Sequence, residues 1–322
     1  MNFESRIELK ELQEAVEKIK MEIHKIIIGQ EDLIDFLILA LLSDGHVLIE
    51  GVPGIAKTLT ARLLAKTIDT DFSRIQFTPD LMPSDIIGTP VFNMKTSEFE
   101  FKPGPIFSNM VLIDEINRAP AKTQAALFEV MEERQVTVDG TTYPLEEPFM
   151  VLSTQNPVEH EGTYALPEAQ LDRFLFKITL TYPDKDEEVE IIRTHHERKD
   201  RKVLPIIQAV LKENQLAEFK KKILDVMVEE KIMRYIAEII SSTRTHPHLY
   251  LGASPRASVA ILNTAKANAA VNGRDFVLPE DVKKVVHPVL RHRLIVTPER
   301  EMEGMTTDKV VDMIISNIEI PR

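Results

Sequence analysis

Residues 46–68 read HVLIEGVPGIAKTLTARLLAKTI, and this stretch decides the fold class. An apolar run ending at Glu50 precedes a loop with two glycines, and apolar residues at helical spacing follow that loop. A strand, a glycine loop and a helix in this order are the context of a phosphate-binding loop. The loop, Gly51 to Thr58, fits the pattern G-x-x-x-x-G-K-S/T except that Ala56 replaces the second glycine. The stretch therefore predicts a nucleotide-binding α/β domain.

The residues of this loop have separate chemical roles. Gly51 and Gly54 let the backbone curl, so that successive N–H groups point at phosphate oxygens. The ammonium group of Lys57 would reach the β- and γ-phosphates of ATP, and the hydroxyl of Thr58 would bind magnesium. An alanine at position 56 would be strained if the loop needed a positive φ there. The predicted nucleotide contacts of the loop are Gly51, Val52, Pro53, Gly54, Ile55, Ala56, Lys57, Thr58 and Leu59.

Two further apolar runs end in polar side chains. The run VLIDE ends in Asp114 and Glu115, and adjacent carboxylates at a buried strand end are costly without a cation. We predict that Asp114 holds magnesium and that Glu115 polarises the attacking water. The run FMVLSTQN ends at Asn156, which we interpret as a residue that orients this water. The alternative for Asn156 is a turn residue before Pro157.

The apolar pattern changes along the chain. Short apolar runs alternate with helical stretches at first, which is typical of a parallel sheet. Alternating segments around turn residues predict hairpins at 91–107 and 137–144. The later part of the chain is helical in pattern. We expect an α/β core in residues 1–183, including an amphipathic N-terminal helix at 7–26, and a small all-α domain in residues 184–322.

Composition narrows the possible functions. The 322-residue chain has no cysteine, which excludes disulfides, thiolate zinc sites and cysteine nucleophiles. Its net charge of −12 disfavours nucleic-acid partners, because neutralising phosphates requires a basic surface. No apolar run approaches the roughly 20 residues of a membrane helix, and the N-terminus lacks a signal-peptide core. We expect a cytoplasmic protein without a membrane span.

Six stretches spread over nearly the whole chain resemble the MoxR family of AAA+ ATPases. They are IIIGQEDLI (26–34), GVPGIAKT (51–58), FTPDLMPSDIIG (77–88), LIDEINRAPAKTQAALFEVMEE (112–133), TQNPVEHEGTYALPEAQLDRF (154–174) and SPRA (254–257). The family tolerates alanine at position 56 of the phosphate loop. The resemblance implies a P-loop NTPase core with a parallel sheet, a small all-α lid, and ATP bound between them. It also implies a homo-oligomeric ring, commonly a hexamer, in which a neighbouring subunit completes each ATP site.

The resemblance assigns roles to further residues. Ile28 and Gly29 would contact the adenine region of ATP, and Asn156 corresponds to the sensor that positions water. Arg173 resembles the finger supplied to the neighbouring subunit, where a guanidinium would stabilise charge on the transferred phosphoryl group. Arg256 resembles the lid sensor that touches the γ-phosphate.

Simpler roles remain open for both arginines. Arg173 could form an ordinary salt bridge with Asp172 or another acid, and Arg256 could be a solvated helix end. Arg118 is a second candidate for a position facing phosphate or a subunit interface. The predicted catalytic set is therefore Glu115, Asn156, Arg173 and Arg256.

Three functions compete. The first is magnesium-dependent ATP hydrolysis that remodels or matures a protein client, and the resemblance suggests partners with von Willebrand A-type domains. The second is a nucleotide-gated oligomeric binding module with slow hydrolysis. The third is a DNA-remodelling motor, which the acidic charge argues against. By analogy with related rings, the two hairpins would line the pore side and could transmit motion to a client.

Overall fold

The computed structural model describes residues 7–157, 163–199 and 204–321. The segment VEHEG at 158–162, which carries part of the family resemblance, lies outside the described residues. The strands in chain order are β1 (His46–Glu50), β2 (Phe72–Gln76), β3 (Gly88–Asn93), β4 (Glu98–Pro103), β5 (Met110–Asp114), β6 (Gln135–Val138), β7 (Thr141–Pro144), β8 (Met150–Gln155), β9 (Phe174–Thr179), β10 (Leu249–Leu251) and β11 (Ile295–Val296).

The helices surround these strands, and the longer ones lie mostly in the second half of the chain. They are α1 (Lys10–His24), α2 (Glu31–Leu42), α3 (Lys57–Thr67), α4 (Pro83–Ile87), α5 (Ala121–Glu133), α6 (Glu168–Leu171), α7 (Lys185–Arg198), α8 (Glu213–Leu224), α9 (Glu230–Thr245), α10 (Pro255–Val271), α11 (Pro279–Leu290), α12 (Pro298–Met302) and α13 (Thr307–Asn317). The predicted N-terminal amphipathic helix is confirmed as α1, which buries Leu12, Val16, Ile19 and Ile23 at steps of three and four.

Five parallel strands form the central sheet, in the order β2-β5-β8-β1-β9. The three predicted strands occupy its centre, where apolar residues are buried on both faces and read as continuous apolar runs. The outer strands β2 and β9 were not predicted. In β2 only Ile75 is buried, since an edge strand leaves most side chains exposed, and its apolar pattern is correspondingly weak.

The strand order creates a crevice at one edge of the sheet. Because all five strands are parallel, their carboxyl ends meet at this edge, and ligands of such sheets bind there. The phosphate loop follows β1, Asp114 ends β5, and Asn156 follows β8, which lies between them. The sheet therefore brings together three motifs that are separated by more than 40 residues in the sequence.

Both predicted hairpins are present. The strands β3 and β4 pair antiparallel, as do β6 and β7. The turn between β6 and β7 is Asp139-Gly140, and both residues have positive φ, of 48° and 79°, as a tight two-residue hairpin turn requires. On the β3–β4 hairpin, Phe92 and Phe99 are exposed and their rings meet edge to face.

The second half of the chain is helical, as predicted, with one small ribbon formed by β10 and β11. Its apolar residues join those of α1 and α2 in one continuous buried cluster, so the N-terminal helices pack against both halves of the protein. Among the described residues, no helix has the length and apolar content needed to cross a bilayer.

Residues 291–293 attach the helical part to the edge strand β9. Arg291 donates to the carbonyl oxygen of Lys177 at 3.0 Å, and His292 and Arg293 donate to that of Phe174 at 2.8 and 2.7 Å. An edge strand presents carbonyl groups without a neighbouring strand, and these side chains satisfy them.

Candidate nucleotide site

A cavity of about 400 Å³ lies beside the phosphate loop. One wall is formed by the loop and the start of α3, another by residues before α2, and a third by α7 and the segment leading into it. Its lining residues are Ile26, Ile27, Ile28, Gln30, Pro53, Gly54, Ile55, Ala56, Leu59, Tyr182, Pro183, Glu188, Ile191 and His195. This mostly apolar cavity with a few polar groups suits a flat aromatic base next to the phosphate loop.

The phosphate loop closes on itself around Lys57. This residue begins α3, and its ammonium group donates to the carbonyl oxygen of Gly51 at 2.6 Å. Burial lowers the pKa of Lys57, while the negative charges of Asp114 and Glu115 raise it and so limit the shift. The predicted lysine and both predicted acids are therefore close enough to act on one another.

The loop requires unusual backbone conformations at two positions. Gly54 has a φ of 91°, and Ala56 has a φ of 61°, in the left-handed region. The strain expected at position 56 is therefore present, and the helix α3 begins directly after it. A Cβ at Gly51 would lie 2.7 Å from the Cδ1 atom of Ile55, so the side chain of Ile55 would have to shift to accommodate it.

The two residues predicted to contact adenine, Ile28 and Gly29, have different surroundings. Ile28 lines the cavity. Gly29 has a φ of 64° and contacts α7, because a Cβ on it would lie only 2.1 Å from a carboxylate oxygen of Glu187. A larger residue at this position would strain the backbone and would require the side chain of Glu187 to move.

The buried carboxylate of Asp114 has a partner on each oxygen. Oδ2 accepts from Nε of Arg74 on β2 at 2.5 Å, and Oδ1 accepts from the hydroxyl of Thr154 on β8 at 3.1 Å. Three neighbouring strands thus fix the orientation of one carboxylate.

Glu115 also is held from several sides. Its backbone has a φ of 58° and a ψ of 53°, and its N–H group donates to the hydroxyl of Thr154 at 3.0 Å. Its Oε2 atom accepts from Gln76 at 2.7 Å and lies 3.1 Å from Nε of Arg118. Arg118 therefore pairs with the predicted general base.

Asn156 lies at the centre of this edge. It directly follows β8, whose neighbours are β5 with its terminal Asp114 and β1 with the phosphate loop. The carbonyl oxygen of Gln155 accepts from the N–H group of Gly51 at 3.2 Å, so the residue before Asn156 contacts the start of the loop.

Arg173 and Arg256 lie together at the other end of the sheet, where the parallel strands begin. Arg173 precedes β9, whose first residue pairs with His46 at the start of β1. The phosphate loop follows the last residue of β1. The five residues of this strand span about 17 Å, which separates the loop from the start of the strand. Both arginines contact Glu132 on α5: Arg173 at 2.8 Å and Arg256 at 3.6 Å. Arg173 therefore has a salt bridge, but with Glu132 and not with the adjacent Asp172.

Comparison with known proteins agrees with this arrangement. Residues 46–176 match the ATPase family associated with various cellular activities (AAA), and residues 241–314 match an AAA lid domain. The chain is 42% identical to the chaperone MoxR1 of Mycobacterium tuberculosis, covering 96% of this chain and 83% of that protein. The chain belongs to the MoxR family of AAA+ ATPases.

Two further relatives and a solved structure are similar over most of their length. The chain is 29% identical to the protein MoxR of Methylorubrum extorquens, over 91% of both chains. It is 45% identical to YeaC of Bacillus subtilis, over 93% of this chain and 92% of that protein. A crystal structure from Cytophaga hutchinsonii shares 45% identity, a TM-score of 0.90 and 97% of both chains.

The residues at the carboxyl edge fit the magnesium ion that AAA+ ATPases use with ATP. The available donors, the carboxylate of Asp114 and the hydroxyl of Thr58, are hard oxygen ligands. Within the described ranges, no group of three or more histidine or acidic side chains could form a complete metal cage. Magnesium is commonly held by one or two protein ligands together with phosphates and water, so the chemistry of these two oxygen donors suits it.

Four residues that contact the predicted site residues are not among the sequence predictions. Arg74, Gln76 and Thr154 contact the two acids, and Glu132 contacts the two arginines. A weak signal existed for Arg74 and Gln76, because alternate residues of a strand point to the same face. No local pattern connects Glu132 to Arg173 or Arg256, since these contacts join separate elements.

Proposed function

We propose that the protein hydrolyses ATP with magnesium and uses the energy to remodel or mature a protein client. The observation that carries this proposal is the position of Lys57, Asp114 and Glu115 at one edge of the sheet, beside a cavity suited to a base. These groups are the cation, the metal ligand and the base that phosphoryl transfer to water requires.

Each residue of the edge would have a distinct role in hydrolysis. The ammonium group of Lys57 would bind the β- and γ-phosphates, and Thr58 and Asp114 would hold the metal. Magnesium, when bound with ATP, neutralises phosphate charge. Glu115 would accept a proton from the attacking water, while Asn156 orients that water. Since Glu115 is bonded to Gln76 and Arg118, it must exchange a partner for the water.

We further propose a homo-oligomeric ring, a hexamer, in the cytoplasm. Arg173 and Arg256 lie about one strand length from the phosphate loop of their own subunit, too far to touch its ATP. In a ring, both guanidinium groups would reach the γ-phosphate of the neighbouring subunit. A guanidinium supplied in this way typically raises the hydrolysis rate by about 10³- to 10⁵-fold.

The proposed client is a protein, with a von Willebrand A-type domain as the specific candidate. Support comes from the family, since one relative is named a chaperone. The exposed aromatic residues of the β3–β4 hairpin offer a surface for contact with a client. The net charge of −12 disfavours nucleic acid as the substrate. We propose residues 1–183 as the core and 184–322 as the lid, moving about the shared cavity.

Phosphate release from ATP across a range of protein concentrations tests the proposal. The wild type and Glu115→Gln are compared with magnesium present, and Glu133→Gln serves as a control acid on α5. Specific activity should rise steeply with concentration in the wild type and in the control, and should vanish in Glu115→Gln. Absence of nucleotide binding would refute the proposal.

A nucleotide-gated module with slow hydrolysis is the second candidate. This function is favoured because the carboxylates of Asp114 and Glu115 both already accept hydrogen bonds from other side chains. This function would be supported if the wild type bound ATP tightly but released no phosphate at any concentration, with or without a client.

A further inference from the structure

Glu132 connects two arginines from distant parts of the chain. It lies near the end of α5, and its Oε2 atom is 2.8 Å from Nη1 of Arg173, which precedes β9. Its Oε1 atom is 3.6 Å from Nη2 of Arg256, which lies in the first turn of α10. Arg173 also donates to the carbonyl oxygen of Phe128, one turn earlier on α5, at 2.8 Å.

The second acid of this cluster is already engaged. Oδ1 of Asp172 accepts from Nε of Arg293 at 2.7 Å, and the side chain of Arg293 is only 5% exposed. Arg256 lies 3.8 Å from the other oxygen of Asp172. Because Arg293 is buried against Asp172, this carboxylate is committed to an internal ion pair. Glu132, whose side chain is 40% exposed, is the carboxylate that can change partners.

A paired guanidinium presents little net charge to a third group. A phosphate that approaches Arg173 therefore competes with Glu132, and the two negative groups also repel each other. We propose that Glu132 is a positioning residue that holds Arg173 and Arg256 together in the unassembled subunit, and that the phosphates of the neighbouring subunit's ATP displace it. This inference rests on the proposed function, in which both arginines act on the neighbouring site.

Removing the negative charge of Glu132 should allow the subunits to assemble at a lower protein concentration. Glu132→Gln keeps the length of the side chain and an amide oxygen that accepts from the arginines, but it no longer competes with phosphate. Each subunit then assembles on its neighbour's ATP without breaking an ion pair. Breaking an exposed ion pair of this kind changes an equilibrium constant by about twofold to fivefold. The protein concentration at half-maximal specific ATPase activity should fall by that factor.

The experiment compares phosphate release by the wild type, Glu132→Gln and Glu133→Gln over a range of protein concentrations. Glu133 is an exposed acid on the same helix that takes part in none of these contacts. We expect a lower half-activation concentration in Glu132→Gln alone. An unchanged or higher value in Glu132→Gln would overturn the inference. Loss of a merely structural contact would not lower this concentration, so the readout separates the two roles.

A mixing experiment separates this inference from the proposed function. Glu115→Gln and Arg173→Ala are each expected to be inactive, but mixed rings would pair an intact arginine with an intact base. Recovery of activity in the mixture would support the shared site. No recovery would refute the proposed function itself. Recovery together with an unshifted Glu132→Gln variant would overturn the role of Glu132 alone.

Discussion

Arg74 on β2 and Asp114 at the end of β5 form an ion pair in which Nε of the guanidinium lies 2.5 Å from Oδ2 of the carboxylate. Asp114 is buried, whereas the side chain of Arg74 is about half exposed. The arginine thus neutralises the carboxylate that we predict from the sequence to hold magnesium.

Arg74→Ala should make the stability of the protein more dependent on the metal. Without the guanidinium, the buried carboxylate of Asp114 keeps the hydrogen bond from Thr154 and the nearby charge of Lys57, but loses its direct ion pair. We expect a loss of about 1 kcal/mol in the free energy of unfolding. Magnesium with a non-hydrolysable ATP analogue should then raise the melting temperature more in Arg74→Ala than in the wild type. An equal rise in both proteins would show that Arg74 and the metal do not act on the same carboxylate.

Ala56→Gly and Ala56→Val should have different consequences for the phosphate loop. The φ of 61° at Ala56 suits glycine and is strained for alanine, by about 1–2 kcal/mol. Glycine relieves this strain but gains freedom in the unfolded chain, so Ala56→Gly should change stability by less than about 1 kcal/mol. The β-branched side chain of valine is an outlier at this φ, so Ala56→Val should lower both stability and nucleotide affinity. Denaturant unfolding and calorimetric titration with ATP measure the two effects. Equal affinities in both variants would contradict this role of the backbone.

His46 should make the protein less stable as the pH falls. Its ring is buried between a donor, the N–H group of Val151, and an acceptor, the carbonyl oxygen of Met131, and burial lowers its pKa to about 4. Below pH 6.5 the unfolded chain takes up a proton that the folded protein refuses until about pH 4. This contribution is therefore complete above pH 6.5 and is lost between pH 6.5 and 4, by about 1.4 kcal/mol per pH unit.

The variant His46→Asn should reduce this pH dependence without removing it. His292 is also buried with a pKa well below its ordinary value, and it remains in the variant. Urea unfolding at pH 7.5, 6 and 5 should give a shallower slope for His46→Asn than for the wild type. His287→Asn is the control, since that ring is partly exposed and pairs with Asp312. An identical slope in His46→Asn and in the wild type would contradict the prediction.

Arg293 and Arg291 should differ in their effect on stability although both contact β9. Arg293 is almost fully buried, pairs with Asp172 and donates to the carbonyl oxygen of Phe174. Arg293→Met should lower the free energy of unfolding by about 3 kcal/mol, because it removes the close partner of the partly buried Asp172 carboxylate and several hydrogen bonds to carbonyl groups. Arg291 is more exposed and pairs with Asp308, so Arg291→Met should cost about 1 kcal/mol. Chemical denaturation of both variants measures the difference, and equal losses would show that burial does not decide it.

The sequence alone predicted the three central strands of the sheet better than its two edge strands. The three central strands are buried on both faces, so their apolar runs are continuous and were recognised. The edge strands β2 and β9 mix polar and apolar residues, because one side of each lacks a neighbouring strand. The turn at Asp139-Gly140 was predictable because only particular residues adopt its backbone angles.

Local chemistry in the sequence determined the phosphate loop with Lys57, the acidic pair Asp114 and Glu115, and the helical nature of the second half. These features depend on neighbours along the chain, through backbone angles and the periodicity of side chains. Only the tertiary structure decided which groups engage those acids. It also decided that Arg256 lies beside Arg173, at the end of the sheet opposite the phosphate loop. Such contacts join residues from separate elements, and their geometry follows from the packing of the sheet and helices, which no local pattern encodes.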